Sequence, residues 1–439
     1  MPTERVDVLV VGGGPVGLFA AALLAARGVH AAVWERRSEP PTGSRAIGIH
    51  PPSLDAFAAV GLDVAVLAEG TRVRTGVARS RGRVLGTLAF ERASRTHPYV
   101  VTLDQHRTET ILRERLAPGV LRTGTTLTGM SRRASGVTAH GDGPDGRPVA
   151  IEAAFVIGAD GGRSVVRDLL GIGTTGQDLP DRYVMGDFAD PEDPDARTSA
   201  LVDVGPDGVV ESFPLPHGRR RYVALVGADD VSAAEPAVLA ALVAARTGAR
   251  PDPASCTMVS GFRVRRRIAD RVGVGRVVLI GDAAHEISPI GGQGMNLGWL
   301  DAAELVPLLA QAVAADRTGS AVPGGPAAFA AYARRRQTIA RRAAWQAERN
   351  MALGRRTGRL GAVGREALLR TLLHLPTADG LARLYAMRWA GRRPGPVGSV
   401  STAGATVVSV DPGPIPVPGA RPSGHQAGSR QAEFDHEHE

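Results

Sequence analysis

The 439-residue sequence contains no lysine and a single cysteine, Cys256, and each shortage excludes a type of chemistry. Without lysine, the chain can form neither the Schiff base of a pyridoxal enzyme nor the nucleotide contact of a phosphate-loop NTPase. With one cysteine, it can form neither an intrachain disulfide nor a multi-thiolate zinc site. The low thiol content fits a reducing compartment, and no metal site is predicted.

Long apolar runs are also missing. No run reaches the roughly 18 residues that span a bilayer, and residues 1–5 lead directly into a strand pattern at 6–11. That arrangement leaves no room for the charged and apolar regions of a signal peptide. The sequence therefore predicts a cytoplasmic protein without a membrane span.

Positive charge comes from arginine alone. All 52 basic residues are arginine and the net charge is +8, but acidic residues are interspersed with them. The clusters at 219–221 and 265–267 are interpreted as solvated or ion-paired, so no nucleic-acid partner is predicted. Abundant alanine and glycine, with arginine in place of lysine, are typical of a GC-rich bacterial genome.

The first motif is a glycine-rich turn between a strand and a helix. Residues 6–11 are apolar and β-branched, residues 12–17 read GGGPVG, residues 18–26 have a helical pattern, and the next strand ends at Glu35. Gly12 would permit the tight turn, Gly14 the approach of a pyrophosphate, and Gly17 close packing of the helix on the strand. The free N–H groups of the helix start attract phosphate. An acid at Glu35 can bind a ribose. The pattern predicts a dinucleotide site, with these residues involved: Gly12, Gly14, Pro15, Val16, Gly17, Glu35 and Arg36.

Two further motifs follow the same logic. Residues 155–167 form a strand pattern that runs into a glycine-rich turn at Asp160, and residues 276–281 lead to Asp282. An aspartate at the carboxyl end of a parallel strand can bind a sugar hydroxyl. The turn at 291–294 has no bulky side chains, so its backbone can lie against a flat ring. The helix that begins near Gly294 can then stabilise negative charge on that ring.

In order and spacing, these motifs resemble the para-hydroxybenzoate hydroxylase family of FAD monooxygenases, the class A flavoprotein aromatic hydroxylases, over residues 4 to about 340. The resemblance implies that Glu35 binds the adenosine ribose and that Asp282 binds the ribityl chain of FAD. It assigns Gly294, Met295 and Asn296 to the flavin ring. Further residues near FAD would be Arg45 on the pyrophosphate, Gln105 near the ribityl chain, Asp160, and Pro289, Gly291 and Gly292 by the ring. Asp160 and Arg163 could instead brace their turn.

The resemblance also implies the fold: an α/β protein with a Rossmann-type, glutathione-reductase-like FAD-binding domain, an interleaved antiparallel substrate sheet and C-terminal helices. Strand patterns at 73–78 and 83–90 suggest a hairpin, and those at 198–204, 209–215 and 221–226 a meander. The predicted FAD-binding segments are 1–75, 97–178 and 265–330, and the substrate segments are 76–96 and 179–264. Helices are predicted at 331–392 and a disordered tail at 393–439.

The implied activity is monooxygenation. NADPH or NADH transiently reduces FAD, O₂ adds at C4a, and the hydroperoxide hydroxylates or epoxidises a hydrophobic substrate, with an aromatic or polyketide-type secondary metabolite as the hypothesis. No protein acid or base is assigned, since the candidates His217, Tyr183, Tyr222 and His285 each have a simpler packing or solvent role. The chain is expected to be a monomer or homodimer.

Three alternatives compete with this activity. A flavin halogenase would need a lysine and a Trp-x-Trp-x-Ile-Pro motif, and the sequence has neither. A flavin reductase of the geranylgeranyl-reductase type stays open, because it would share the same cofactor motifs but transfer hydride without oxygen. A non-catalytic flavoprotein that serves as a sensor or assembly partner also stays open.

Overall fold

The computed structural model describes residues 4–40, 46–91, 94–190, 196–227, 234–322, 324–374 and 378–391, all within one compact unit at 1–392. The predicted tail at 393–439 lies outside these residues. The helices are α1 (Pro15–Ala25), α2 (Pro51–Ala58), α3 (Asp63–Glu69), α4 (Gln105–Glu114), α5 (Val165–Leu169), α6 (Pro236–Thr247), α7 (Gln293–Thr318), α8 (Gly325–Gly354), α9 (Arg359–His374) and α10 (Ala378–Tyr385). The strands are β1 (Glu4–Val11), β2 (Ala31–Glu35), β3 (Gly48–Ile49), β4 (Thr71–Val73), β5 (Thr75–Ser80), β6 (Arg83–Ala89), β7 (Val100–Thr102), β8 (Leu121–Thr123), β9 (Thr126–Arg133), β10 (Gly136–Asp142), β11 (Pro148–Gly158), β12 (Thr174–Ala189), β13 (Ser199–Gly205), β14 (Gly208–Leu215), β15 (Arg219–Val226), β16 (Met258–Ala269), β17 (Gly273–Val274), β18 (Val277–Leu279) and β19 (His285–Glu286).

The first sheet has parallel strands at its centre, in the order β18-β11-β1-β2-β8. β1 and β2 are buried along most of their length, because α1 and α7 cover one face of the sheet and residues of α5, β9 and β10 pack on the other. Near-continuous apolar runs are expected of strands that are covered on both faces. The carboxyl ends of these strands open at one edge, where doubly wound sheets bind ligands. All three predicted motifs follow strands that end at this edge.

The second sheet has the order β19-β16-β12-β15-β14-β13-β5-β6. Its neighbouring strands are antiparallel except for β13 and β5, which are parallel. The predicted meander is confirmed as β13-β14-β15, and the predicted hairpin is β5-β6 on the same sheet. Side chains alternate between the two faces along each strand. One face packs on α6, and the other packs on Met351 of α8 and on Ile290, which precedes the glycine-rich turn at 291–294. The domain boundaries remain a prediction.

The C-terminal helices predicted at 331–392 are present as α8, α9 and α10, and α8 begins earlier than predicted, at Gly325. The sequence pattern predicts a helix from Thr108 to Leu116, but α4 begins earlier, at Gln105, with Asp104 as its N-cap residue. This shift puts Gln105 in the first turn of α4. Asp104 also binds Arg219 of the second sheet, so the start of α4 connects the two sheets.

Helix α7 is the one described helix that is long and apolar enough to cross a membrane, but 61% of its apolar stretch is buried inside the fold. Uninterrupted apolar runs did not reveal it, because Asp301 and Glu304 fall within it. Both acids bind arginines of α8. The buried side of α7 packs against α1 in the main core, as expected for the central helix of this sheet.

The arginine clusters are ion-paired, as the sequence suggested. The pairs within or beside the second sheet are Arg219 with Asp104, Arg220 with Asp190, Arg221 with Asp187, Arg266 with Glu348 and Arg267 with Asp178. Arg220 and Arg221 are almost fully buried. Acidic partners for these arginines are spread over several elements, so their charge serves the fold rather than an exposed basic face.

Candidate functional site

The GGGPVG turn has almost no spare room. Gly12 has a φ of 109°, and a Cβ added there would lie 2.3 Å from the carbonyl oxygen of Ala159. A Cβ on Gly17 would lie 1.9 Å from the carbonyl oxygen of Gly12. The predicted turn and packing roles of these two glycines therefore agree with the structure. A Cβ on Gly14 would meet nothing within 4 Å, so open space faces the start of α1, where a pyrophosphate could lie.

The turn also packs directly on the third motif. The methyl groups of Val16 approach Gly298 and Gly281, where an added Cβ would lie 2.5 Å and 3.3 Å from them. The indole N–H of Trp299 donates to the carbonyl oxygen of Pro15 over 3.0 Å. The side chain of Val16 thus fills the contact between α1 and α7. Segments nearly 270 residues apart in sequence meet at one edge of the first sheet, as Val16 and Gly281 show.

Glu35 closes the end of β2. Its Oε2 accepts the N–H of Gly13 at 2.7 Å, and its Oε1 accepts the backbone N–H and the side-chain Nε–H of Arg37 at 3.0 Å and 2.8 Å. Burial acts to raise the pKa of the Glu35 carboxyl, but the bonds from Arg37 and Gly13 outweigh it, so the pKa lies below its ordinary value. An ionised acceptor is thereby held beside the turn, as a ribose ligand requires.

The predicted cofactor contact at Arg36 stays a prediction. Arg36 is exposed, whereas its neighbour Arg37 points back to the Glu35 carboxylate. Residues two apart on an extended chain share a face, and that rule could have favoured Arg37. Arg45, the other predicted phosphate ligand, lies outside the described residues.

Asp160 braces the turn that follows β11. Its carboxylate accepts the Ser164 hydroxyl at 2.5 Å and the N–H of Val166 at 3.1 Å, which caps α5. Burial raises the pKa of Asp160 despite these bonds. Arg163 is exposed. The sequence left open whether Asp160 binds FAD or braces its turn, and the geometry supports the bracing role. Asp160 also lies close to the GGGPVG turn, since a Cβ on Gly12 would be only 2.8 Å from the Cα of Asp160.

Gln105 lies at the start of α4, where its amide donates to Glu109 over 2.9 Å. Burial is the main reason that the pKa of the Glu109 carboxyl is raised. Gln105 is half-buried, so its side chain could still reach a bound molecule.

Asp282 is both accessible and closely surrounded by protein. Its side chain is exposed, yet surrounding protein desolvates it enough to raise the pKa of its carboxyl group to about 6, against the smaller opposing effect of His285. A group that is accessible and also closely surrounded lines a concave space. Asp282 accepts no hydrogen bond from the described residues, so its oxygens are free for a ligand hydroxyl.

A buried ionic network supports the Asp282 turn from behind. Asp301 Oδ2 lies 2.6 Å from His285 Nε2 and 3.0 Å from the N–H of Gly281, while its Oδ1 accepts Arg336 Nε–H at 2.5 Å. Arg336 also donates to the carbonyl oxygen of Leu297 over 3.0 Å. Burial acts to raise the pKa of Asp301, but His285 and Arg336 outweigh it and keep the pKa low. His285 is therefore a supporting residue, which is how the sequence interpreted it.

The glycine-rich turn at the start of α7 is anchored by Asn296. Gly291 and Gly292 have φ values of 88° and 65°, which glycine adopts without strain. The Asn296 side chain is fully buried; its oxygen accepts the N–H of His50 at 2.8 Å, and its amide donates to Gly48 and Gly292 at 2.8 Å and 2.7 Å. Its side chain is thus committed to the protein. A predicted flavin contact at Asn296 would have to come from its backbone.

Sequence reasoning missed two buried polar groups beside this turn. Burial lowers the pKa of His50 to about 4, and its Nδ1 has no hydrogen-bond partner among the described residues. Gln293, the first residue of α7, is 1% exposed, and both of its amide atoms lack a partner in the same part of the chain. Unpaired buried polar groups are costly, and a ligand at the α7 start would supply partners. The arrangement fits a polar-edged cofactor ring.

The remaining acid–base candidates occupy different surroundings. His217 is exposed in a turn with a φ of 63°, and Tyr222 packs on Phe188 on the α6 side of the second sheet. Both positions match their simpler interpretations. Tyr183 lies on the opposite face, toward the glycine-rich turn, and its hydroxyl is buried without a partner in the described part of the chain.

The chain is similar to known proteins over most of its length. Residues 5–347 match the family described as FAD binding domain. The 6-methylpretetramide 4-monooxygenase of Streptomyces rimosus is 37% identical over 326 residues, which cover 71% of this chain and 57% of that protein. Against the first three such curated relatives, this chain spans 57% to 62% of their lengths.

Solved structures agree on the fold. The anhydrotetracycline hydroxylase of Streptomyces rimosus superposes with a TM-score of 0.71 at 31% identity, over 88% of this chain and 76% of that one. The p-nitrophenol 4-monooxygenase of Pseudomonas putida superposes with a TM-score of 0.78 at 24% identity, over 89% of this chain and 100% of that one, which shows a shared fold. The α/β fold class predicted from the motifs is confirmed.

Proposed function

We propose a function from the premise that this chain belongs to the FAD binding domain family, among the class A flavoprotein aromatic hydroxylases. In this proposal the chain binds FAD at the motif edge, which is the edge of the first sheet where the three motifs follow the carboxyl ends of β1, β11 and β18. With NADPH or NADH as transient reductant, it inserts one oxygen atom of O₂ into an organic substrate, by hydroxylation or epoxidation. The flavin supplies the redox chemistry when bound, and the protein binds, orients and shields the reactants.

The observation that carries this proposal is that the turn at the start of α7 contacts the apolar face of the second sheet. The turn at the start of α7 sits at the motif edge, and its Ile290 packs into the apolar face of the second sheet, among Tyr183, Met185 and Val223. A ring held against that turn would therefore face an apolar wall. Water exclusion is what oxygen transfer requires, because an exposed reactive flavin loses its oxygen as peroxide.

Each part of the motif edge has a role in the proposal. Gly14 and the free N–H groups at the start of α1, with Pro15 and Val16, would bind the pyrophosphate. Glu35 would accept the hydroxyl groups of the adenosine ribose, and Asp282 those of the ribityl chain. The backbone of 291–296 would lie along the flavin ring, where the positive end of α7 favours negative charge.

The proposed substrate is a polycyclic aromatic or polyketide-type molecule. The relatives that support this choice are named for 6-methylpretetramide and anhydrotetracycline, both polycyclic. The wall of the second sheet is apolar over several strands, which suits a large, flat, hydrophobic ring system.

The test is a turnover assay on the FAD-loaded chain with NADPH, a polycyclic phenol and isotopically heavy O₂. The proposal predicts NADPH oxidation that the substrate accelerates, and a product that carries one heavy oxygen atom. Hydride transfer to a substrate double bond under nitrogen, with no oxygen incorporated in air, would instead identify a flavin reductase and contradict the proposal.

A further inference from the structure

An acidic side chain without a partner interrupts the apolar face of the second sheet, unlike Asp187 on the same face, which pairs with Arg221. On β14, Glu211 lies between Val209 and Phe213 and points to the same face, which also carries its direct cross-strand neighbours, Val202 of β13 and Val223 of β15. A carboxyl group among aliphatic and aromatic side chains is unfavourable unless it has a partner. Its position on this wall therefore calls for an explanation.

Glu211 has no hydrogen-bond partner or ion-pair partner among the described residues. Its side chain is partly accessible, yet the surrounding protein is dense, and burial alone raises the pKa of its carboxyl to about 7. As argued for Asp282, a group that is both accessible and surrounded lines a concave space. Glu211 thus faces a cavity rather than the outer surface.

Further polar groups share this environment. The Tyr183 hydroxyl on β12 is buried without a partner in the described chain, and Tyr385 on α10 donates to the Asn350 side chain over 3.3 Å. Burial raises the pKa of both phenols, and the charge of Glu211 adds to the effect; for Tyr385 the pKa is raised to about 12. Both tyrosines are therefore close enough to Glu211 to respond to its charge.

The same cluster reaches the glycine-rich turn. The amide nitrogen of Asn350, on α8, lies 3.6 Å from the point where a Cβ on Gly291 would be. Contacts thus run from the Gly291 turn through Asn350 and Tyr385 toward Glu211. The polar groups lie on the side of the second sheet where the proposed function puts the flavin ring and the substrate.

We infer that Glu211 recognises the substrate: its carboxylate accepts a hydrogen bond from a hydroxyl group on the aromatic ring system, and the Tyr183 hydroxyl is a second contact. This inference rests on the proposed function, and it makes Glu211 a substrate-binding residue for that reaction. A lone carboxylate on an apolar wall selects molecules that bring a donor, since a ligand without one would leave the carboxylate buried and unpaired.

This role makes the affinity of the chain for its substrate depend on pH. The ionised carboxylate is the stronger acceptor, so affinity for a hydroxyl donor rises as Glu211 loses its proton, through pH 7. Other groups that face Glu211 stay in one state there: the phenols of Tyr183 and Tyr385 remain neutral because their pKa values are raised. Near Tyr183, Asp181 and Arg355 form an ion pair at 2.7 Å.

The experiment titrates the FAD-loaded full chain with 2-naphthol, a compact aromatic hydroxyl donor, and follows both naphthol fluorescence and flavin absorbance. For a group with a pKa of about 7, the ionised fraction rises about tenfold between pH 6 and pH 8. The expected result is a Kd that falls by up to about tenfold over this range. The matched probe 2-methoxynaphthalene, which cannot donate, should show no such change.

Variants assign the effect to this residue. Glu211→Gln keeps the size but cannot ionise, so its Kd for 2-naphthol should be weak and equal at both pH values, while FAD binding stays as in the wild type. Glu235→Gln is the matched control, because Glu235 is exposed at the start of α6, on the far side of the sheet, and makes no capping bond. This variant should behave like the wild type.

The inference is overturned if 2-naphthol fails to bind the wild-type chain, or if Glu211→Gln keeps the same pH-dependent Kd. Failure of the proposed function is a different result: a chain that takes up no FAD, or whose flavin is not reduced by NADPH. The two can be separated because naphthol fluorescence reports binding without flavin reduction or turnover.

Discussion

At the scale of single residues, Gly17 shows how little space the GGGPVG turn leaves for a side chain. In Gly17→Ala the new Cβ would lie 1.9 Å from a backbone oxygen, that of Gly12, so α1 must shift away from the turn. We expect a Tm several degrees lower and loss of FAD binding. Gly14→Ala is the control, because its Cβ would meet no protein atom within 4 Å; it should fold normally and lose FAD affinity only. Thermal unfolding with and without FAD distinguishes them, and a wild-type Tm for Gly17→Ala would contradict the packing argument.

Asp282 is the residue whose loss should affect FAD most directly. Asp282→Ala removes an acceptor that has no partner in the described chain and would leave a ribityl hydroxyl unsatisfied. Such a bond contributes about 1.5–3 kcal/mol when one partner is charged, so FAD affinity should fall roughly 10- to 100-fold. Asp282→Asn keeps an acceptor oxygen, so its FAD affinity should fall less. Equal FAD content in Asp282→Ala and wild type would count against the assignment.

His50 should make the fold sensitive to acid. Its pKa is lowered by burial from 6.5 to about 4, so the unfolded chain binds the proton more readily than the folded chain. The associated stability is therefore complete above pH 6.5 and is lost as pH falls from there toward 4. The free energy of unfolding falls by at most about 3 kcal/mol over this pH range.

The measurement for His50 is urea unfolding at a series of pH values. His50→Gln cannot protonate, so the difference in unfolding free energy between wild type and variant should shrink as pH falls through that window. A difference that stays constant from pH 7 to pH 4 would mean that His50 is not held neutral.

At the scale of secondary structure, the Asp301 network joins α7, α8 and the Asp282 turn. Arg336→Leu leaves the Asp301 carboxylate buried with one partner fewer, and breaking a buried pair typically costs about 3–5 kcal/mol. Arg317→Leu removes an ion pair between α7 and Asp7 in which the arginine is 55% exposed, and should cost less than about 1 kcal/mol. Chemical unfolding of both variants measures the difference; equal losses would contradict the supporting role of the network.

Elements near the motifs were predictable from sequence because their signals are local. A strand pattern followed by GGGPVG predicts the β1-α1 turn, and the short strand patterns predicted β13, β14 and β15 within one or two residues. Asp282 could be found for the same reason, since it directly follows a strand. The start of α4 was predicted three residues too late, at Thr108, because Asp104 acts as the N-cap through backbone geometry alone.

Other site residues could not be predicted, since their roles depend on pairing between distant segments. The role of His50 depends on its hydrogen bonds with Asn296 and Gly291, and the role of Arg336 depends on its pairing with Asp301. Glu211 sits in an ordinary alternating strand, and only the register of β13, β14 and β15 shows that it points to the apolar wall. A single sequence holds no local signal for such contacts.

At the scale of the whole molecule, a parallel sheet that ends in the predicted cofactor motifs meets an antiparallel sheet that supplies an apolar wall. The central claim is that a flavin bound between them takes electrons from a nicotinamide and passes them to oxygen. In the proposed function neither sheet could do this alone: the first would offer the phosphate, ribose and ring contacts, and the second would shield the ring face and carries Glu211.

An absorption spectrum of the purified chain tests this claim most directly, recorded before and after NADPH is added, in air and under nitrogen. The account predicts the bands of oxidised flavin, bleaching under nitrogen after NADPH, and recovery of the bands when air is admitted. A colourless protein that neither takes up added FAD nor oxidises NADPH would contradict it.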